Sequence, residues 1–133
     1  MIYKVLIVGL GKIGLSYDLN TGNESSVKTH ARAFDFHKKF RLIGGVDFLE
    51  LARKTFEEVY HAPAFSNLTN ALNSLKPDIV VVASPTNSHL SDIETIVCNS
   101  NIKAILCEKP LSYSIDEANK IVKLCEAHKI KLY

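Results

Sequence analysis

Glu108, Lys109 and Pro110 follow directly on the apolar run Ala104–Cys107. Charged groups at the end of a buried strand are costly to hide, so they mark either a solvated strand end or a place where a ligand is met; we expect the ligand. An ammonium held there can lie against a substrate oxygen and stabilise negative charge developing on it. Glu108 is expected to favour the charged form of Lys109. A second group is Gly9, Gly11 and Gly14, a G-x-G-x-x-G run that follows the apolar stretch Tyr3–Val8 and is read as opening a helix. One glycine permits a tight turn, one lets the backbone approach a pyrophosphate and one allows close helix packing, while unpaired N–H groups face the anion. A glycine-rich turn without a ligand is the plain alternative, and the acid described next counts against it.

That acid is Asp47, at the end of an expected strand, where a carboxylate can accept hydrogen bonds from adenosine ribose hydroxyls. Its charge would repel a 2′-phosphate, which favours NAD over NADP. The usual separation from the glycines is about 20 residues; Asp47 lies further on, and the polar insert Ser16–Thr29 accounts for the excess and is expected to split or delay the first helix. Arg53 and Lys54 follow closely and read as exposed helix charges, though they leave NADP open. In Ser84–His89 (SPTNSH), Ser84, Thr86 and Asn87 offer short hydrogen-bonding groups suited to a ribose or nicotinamide edge. Asn87 or Ser88 would equally serve as a helix cap, and a lone His89 in a first helical turn is more often structural than catalytic.

The elements that must position these residues alternate. Apolar runs predict strands at Tyr3–Val8, Arg41–Asp47, Ala64–Ser66, Asp78–Ala83, Ile102–Cys107 and Ile130–Tyr133. Helical spacing appears around Ser26 (Val27, Ala31, Phe34), over Leu49–Tyr60 (Ala52, Phe56, Val59) and over Leu68–Leu75, and again around Ile93, Ile96 and Val97. Ser114 with Glu117 predicts a capping box for a last helix whose inner face is Ile115, Ala118, Ile121, Val122 and Cys125. Six strands joined by helical crossovers argue for a doubly wound, mostly parallel α/β sheet of the Rossmann type in one domain, with helices on both faces. Ligands bind such sheets beyond the carboxyl ends of the strands, and all four polar segments fall at such ends.

Composition narrows the class further. The 133 residues are 47% hydrophobic and 23% charged, with a formal net charge of +2 and no block of like charge. We therefore expect no nucleic-acid or membrane partner. Cys98, Cys107 and Cys125 are odd in number and lack C-x-x-C spacing, so neither a disulfide framework nor a metal site is indicated, and a reducing cytoplasm is expected.

Taken in order, VGLGKIG, VD, ASPTNSH and CEKPLS resemble the nucleotide-binding half of the glucose-fructose oxidoreductase, inositol dehydrogenase and MocA family, and the resemblance covers essentially the whole chain. It implies an oxidoreductase that moves a hydride between a nicotinamide cofactor and a hydroxyl or carbonyl of a sugar, sugar derivative or cyclitol. It implies that Lys109 reaches the substrate oxygen and the nicotinamide region, and that the Lys109–Pro110 bond is cis. It also implies dinucleotide contacts at Gly9, Gly11, Lys12, Ile13, Gly14, Asp47, Ser84, Thr86, Asn87, His89, Glu108, Lys109 and Pro110. His30 resembles a histidine often found after the glycines. Members of that family continue into a second α/β domain that closes over the nicotinamide and contributes an aspartate and a histidine. Residues 1–133 are thus expected to be the dinucleotide-binding domain of a longer dehydrogenase, able to bind cofactor but not to turn over substrate alone.

Two other classes were weighed. A non-catalytic dinucleotide-binding sensor or assembly module needs the glycines and Asp47 but not Lys109. An S-adenosylmethionine-dependent methyltransferase shares the glycines and the acid but gives no reason for Glu108-Lys109-Pro110. The last strand leaves a pairing edge, so a homo-oligomer is compatible with the sequence.

Overall fold

The computed structural model describes residues 1–19 and 26–133. Six strands, β1 (Tyr3–Val8), β2 (Phe40–Val46), β3 (Ala64–Phe65), β4 (Ile79–Val82), β5 (Ala104–Cys107) and β6 (Lys131–Leu132), form one sheet in the order β3-β2-β1-β4-β5-β6. Every neighbouring pair is parallel. The crossovers are helices α1 (His30–Phe36), α2 (Glu50–Tyr60), α3 (Leu68–Leu75), α4 (His89–Asn99) and α5 (Ile115–Ala127). This is the doubly wound architecture expected. The chain leaves β1 toward β2 and β3, then returns to β4 on the other side of β1. The crossovers on the two sides depart in opposite directions, and a crevice opens where they part.

Alternation along the strands sorts the core into two layers. Val5, Ile7 and Val81 pack with Leu10, Leu15, Ala31 and Phe56 on the side of α1 and α2. Leu6, Val8, Val80, Val82 and Ile105 pack with Leu72, Ile93, Ile96 and Ile121 on the side of α3, α4 and α5. Both faces of β1 and β4 are therefore buried, which is why these strands read as continuous apolar runs rather than alternating ones.

Several elements depart from the sequence expectation. Asp47, Ser66, Asp78, Ala83 and Ile102 lie just outside the strands. The Asp78 carboxylate accepts from Lys4 N and Lys103 Nζ, and its own N and O bond to Lys4 O and Lys103 N, so it staples the amino ends of β1, β4 and β5 together. Val59 is 47% exposed, and Tyr60 takes its place by packing on Phe56. In α5 only a narrow stripe is covered, because the helix lies over the short edge strand: Ile121 and Cys125 are buried, while Ile115 is 81% exposed and Val122 is exposed too. Ser114 caps α5 by accepting from Glu117 N. The reciprocal half of the box is relayed: Ser114 N donates to Ser112 Oγ, which donates to Glu117 Oε2 at 2.6 Å.

The largest departure concerns the first helix. Residues 11–15 form a turn, a single 3-10 turn follows at Ser16–Asp18, and α1 begins only at His30. Val27, expected on its inner face, precedes it and is exposed. Yet His30 N donates to Ile13 O and Ala31 N to Gly14 O, so α1 continues the hydrogen bonding of the glycine turn across the insert. Residues 20–25 of that insert lie outside the described residues.

Asp18 closes the insert at its base. Its carboxylate accepts from Lys28 N at 3.0 Å, and from Thr29 N and Thr29 Oγ1 at 2.7 Å each. The same Thr29 oxygen accepts from Arg32 N and caps α1. Burial alone would push the Asp18 carboxyl up, but these hydrogen bonds, with the Arg32 charge nearby, hold it below the ordinary value. A carboxyl lowered in the folded state adds stability that is complete above its unfolded value, about 3.9, and is lost as pH falls through the lower folded value. Asp18→Asn is therefore expected to lower the urea midpoint at pH 7, and to lower it less as the solution is acidified below about pH 4.

Candidate functional site

The polar segments converge at the carboxyl ends of the strands, as the topology requires. Gly9 adopts φ +92°, and a Cβ there would lie 2.5 Å from the Ala83 carbonyl and Ser84 N. A Cβ on Gly14 would lie 2.0 Å from Gly9 O, whereas one on Gly11 would meet nothing within 4 Å. Two glycines are thus demanded by backbone against backbone, and the middle one faces open space. The N–H groups of Gly11, Lys12, Ile13 and Gly14 make no hydrogen bond within the described residues. Converging free N–H donors beside an open glycine are what a pyrophosphate needs. Lys12 is exposed next to them and adds positive charge.

Asp47 stands at the tip of β2. Its Oδ2 accepts from Leu10 N and its Oδ1 from Leu49 N, both at 2.8 Å, so the acid ties the glycine turn to the entry of α2. Each oxygen retains a lone pair for a ligand hydroxyl. Arg53 Nη1 donates to Asp47 O and Phe48 O, and Lys54 pairs with Glu50 at 2.7 Å. Both cations near the acid are thus engaged within the protein.

A cleft of about 310 Å³ runs from Gly9 and Asp47 to Ser84, Pro85 and Asp92, and includes Phe48, Leu68 and Ser88. Hollows of about 700 Å³ lie elsewhere, one at the opposite edge of the sheet around Tyr3, Ile79 and Lys131. The smaller cleft is the one that Gly9 and the acid line at the carboxyl ends of the strands, and that position outweighs volume here.

Ser84 Oγ donates to Asp92 Oδ2 at 2.5 Å. Burial pushes the Asp92 carboxyl up, against the opposing effects of this hydrogen bond and of His89. Thr86 and Asn87 sit in a 3-10 turn before α4. Neither Asn87 nor Ser88 caps α4 through its side chain, so the capping alternative weighed from the sequence is not what the structure uses.

His89 is 1% exposed and does not open onto the cleft. Its two ring nitrogens face two carbonyls, Nε2 at 2.9 Å from Ser84 O and Nδ1 at 3.1 Å from Leu111 O, with Cys107 Sγ 3.4 Å from Nδ1. Burial, with the Glu108 and Asp92 charges, pushes the Cys107 thiol up to about 12. The thiol therefore keeps its proton. The structure thus gives His89 the place of a clamp between the loops after β4 and β5.

The turn after β5 holds the cis Lys109–Pro110 bond. Glu108 does not pair with the Lys109 ammonium as expected: its Oε1 accepts from His30 Nε2 at 2.6 Å and its Oε2 from the Lys109 main-chain N at 3.3 Å. The reason lies in the insert, which delivers His30 to the start of α1 directly over the glycine turn. Lys109 and Pro110 are exposed, and the Lys109 ammonium has no partner among the described residues. Among those residues no cluster of His, Cys, Asp and Glu could hold a metal ion, and no helix is long and apolar enough to cross a membrane.

A doubly wound sheet with an anion-ready glycine turn, an acid at the tip of β2 and a lysine turn after β5 defines a Rossmann domain of the dinucleotide-binding class. The oxidoreductase family GFO_IDH_MocA, described by its NAD-binding Rossmann fold, matches residues 3–133, and the chain belongs to that family. The D-xylose 1-dehydrogenase [NADP(+)] of Haloarcula marismortui is 35% identical over 72 residues, 54% of this chain and 19% of that protein. The inositol 2-dehydrogenase of Rubrobacter xylanophilus is 37% identical over 62 residues, 47% and 17% of the two chains. The WlbA dehydrogenase from Bordetella pertussis, solved with NADH and UDP-GlcNAcA, superposes with a TM-score of 0.83 at 22% identity. That match covers 100% of this chain and 36% of WlbA, so the chain spans about a third of that structure's length.

Two outcomes follow for stability. Gly14→Ala is expected to cost about 3 kcal/mol in urea unfolding because backbone must move, while Gly11→Ala should stay within about 0.5 kcal/mol of wild type. His89→Ala should cost about 2 kcal/mol by leaving buried groups without a partner, whereas Lys109→Ala should leave the midpoint unchanged.

Proposed function

We propose that this chain holds the cofactor of an oxidoreductase that transfers a hydride between a nicotinamide dinucleotide and a hydroxyl or carbonyl of a sugar, sugar derivative or cyclitol, with NAD preferred to NADP. The observation that carries this reading is the convergence of the free N–H groups of residues 11–14, the Asp47 carboxylate and the unpaired Lys109 ammonium at one edge of the sheet. The residues fit the group: an open glycine turn takes the pyrophosphate, and Asp47 takes the ribose hydroxyls. The nicotinamide, when bound, supplies the hydride chemistry. In the reducing direction the Lys109 ammonium would lie against the carbonyl oxygen and stabilise the negative charge that grows there as hydride reaches the carbon. Ser84, Thr86 and Asn87 would hold the ribose on the β4 side.

The relatives support the substrate class, since those described act on D-xylose and inositol or carry a nucleotide sugar. They divide on the cofactor, one being named for NADP(+) and one carrying NADH. The choice of NAD rests on Asp47, and on Arg53 and Lys54 being engaged rather than offered to a 2′-phosphate. Turnover is assigned to the longer polypeptide, in which a second domain would close over Lys109. A sensing or assembly module would need the glycine turn but would leave the exposed Lys109 without a purpose.

Calorimetric titration of the chain with NADH and NADPH tests this directly. NADH is expected to bind more tightly, and Asp47→Asn to weaken it by about tenfold, the worth of a hydrogen bond to a charged group. Tighter binding of NADPH would overturn the cofactor preference, and binding of neither would overturn the assignment.

A further inference from the structure

The cleft beside the glycine turn has two features that a ribose and a pyrophosphate leave unused. Phe48 lines it at 79% exposure, with its ring uncovered by any element of the fold. Asp92 lines the opposite side. Its Oδ2 is held by Ser84 Oγ, but its Oδ1 has no partner among the described residues and is not sealed from solvent. A half-buried carboxylate in a cleft that takes an anionic ligand is unfavourable unless the ligand brings a donor to it. The donors of a dinucleotide are few. The adenosine ribose hydroxyls fall to Asp47 and those of the nicotinamide ribose to Ser84, Thr86 and Asn87, the pyrophosphate carries only acceptors, and the nicotinamide amide belongs at the Lys109 end of the crevice. The adenine 6-amino group is the donor that remains, and a flat base is what an exposed aromatic ring accommodates.

We propose that the cleft reads the base of the cofactor: Phe48 stacks on adenine, and Asp92 Oδ1, aimed by Ser84, accepts from its 6-amino group. This rests on the dinucleotide reading above and adds a base specificity to it. Hypoxanthine, with a carbonyl in place of the amino group, would set an acceptor against the carboxylate.

The test is calorimetric titration of the chain at pH 8 with NADH and with reduced nicotinamide hypoxanthine dinucleotide. Wild type is expected to bind NADH about tenfold more tightly. Asp92→Ala should bring the two affinities together, chiefly by weakening NADH. Asp92→Asn keeps an acceptor for Ser84 and offers an amide to the hypoxanthine carbonyl, so the ratio should fall even if the alanine variant folds poorly. Phe48→Ala should weaken both ligands alike by about tenfold and leave their ratio unchanged. If Asp92 only staples the loop after β4, its variants would weaken both ligands equally and the ratio would persist, which overturns the proposal. Equal binding by wild type also overturns it while leaving the dinucleotide reading intact; binding of neither ligand overturns both.

Discussion

Gly9 lies so close to the main chain of Ala83 and Ser84, and Gly14 so close to Gly9 O, that the end of β1 and the end of β4 meet as bare backbone. Most of the site depends on this contact. It sets the glycine turn at the point where the crossovers part, leaves Gly11 facing open space, and places Leu10 N within reach of Asp47. A side chain at either outer glycine would push the turn off the strands, and the N–H groups of residues 11–14 would no longer converge. Close packing here is thus the means by which main-chain donors are held free of internal partners.

The insert shows how firmly that arrangement is kept. A longer connection between glycine turn and helix would ordinarily let the helix drift. Instead Asp18 gathers the far end of the insert, Thr29 caps α1, and His30 and Ala31 take up the carbonyls of Ile13 and Gly14. Loop closure costs little more as a loop lengthens, so a few hydrogen bonds at its base suffice to restore the register. The polar run has at least this consequence: the helix resumes with a histidine at its first residue, over the turn that follows β5.

The sheet was legible because β1 and β4 are buried on both faces and their β-branched runs have no other reading. The glycines, Asp47 and the Glu108-Lys109-Pro110 turn were legible because each ends such a run. Other features depended on contacts made across the fold. Nothing in the spacing of His30 and Glu108 shows that they touch, since 78 positions separate them. His89 reads as more often structural than catalytic, but only the fold shows which two loops close over it. Asp92 reads as an ordinary first-turn acid of α4, and only the bend at Ser84 brings it to the cleft. Ile115 and Val122 mislead in the opposite sense, because helical spacing marks an apolar face without saying how much of it an edge helix will cover.

The pairing of His30 with Glu108 also bears on why Lys109 can act. Had Glu108 held the ammonium, approach of a substrate oxygen would have had to break an ion pair, and much of the lysine's field would have been spent on its neighbour. With the carboxylate turned to the imidazole at 2.6 Å, Lys109 stands at the strand end without a counter-ion among the described residues. Its main chain is still fixed on both sides, by Glu108 N on Val82 O and by the Leu111 carbonyl held at His89. An ammonium whose backbone is pinned and whose charge is uncommitted is preorganised for a ligand, because no internal interaction is given up when the ligand arrives.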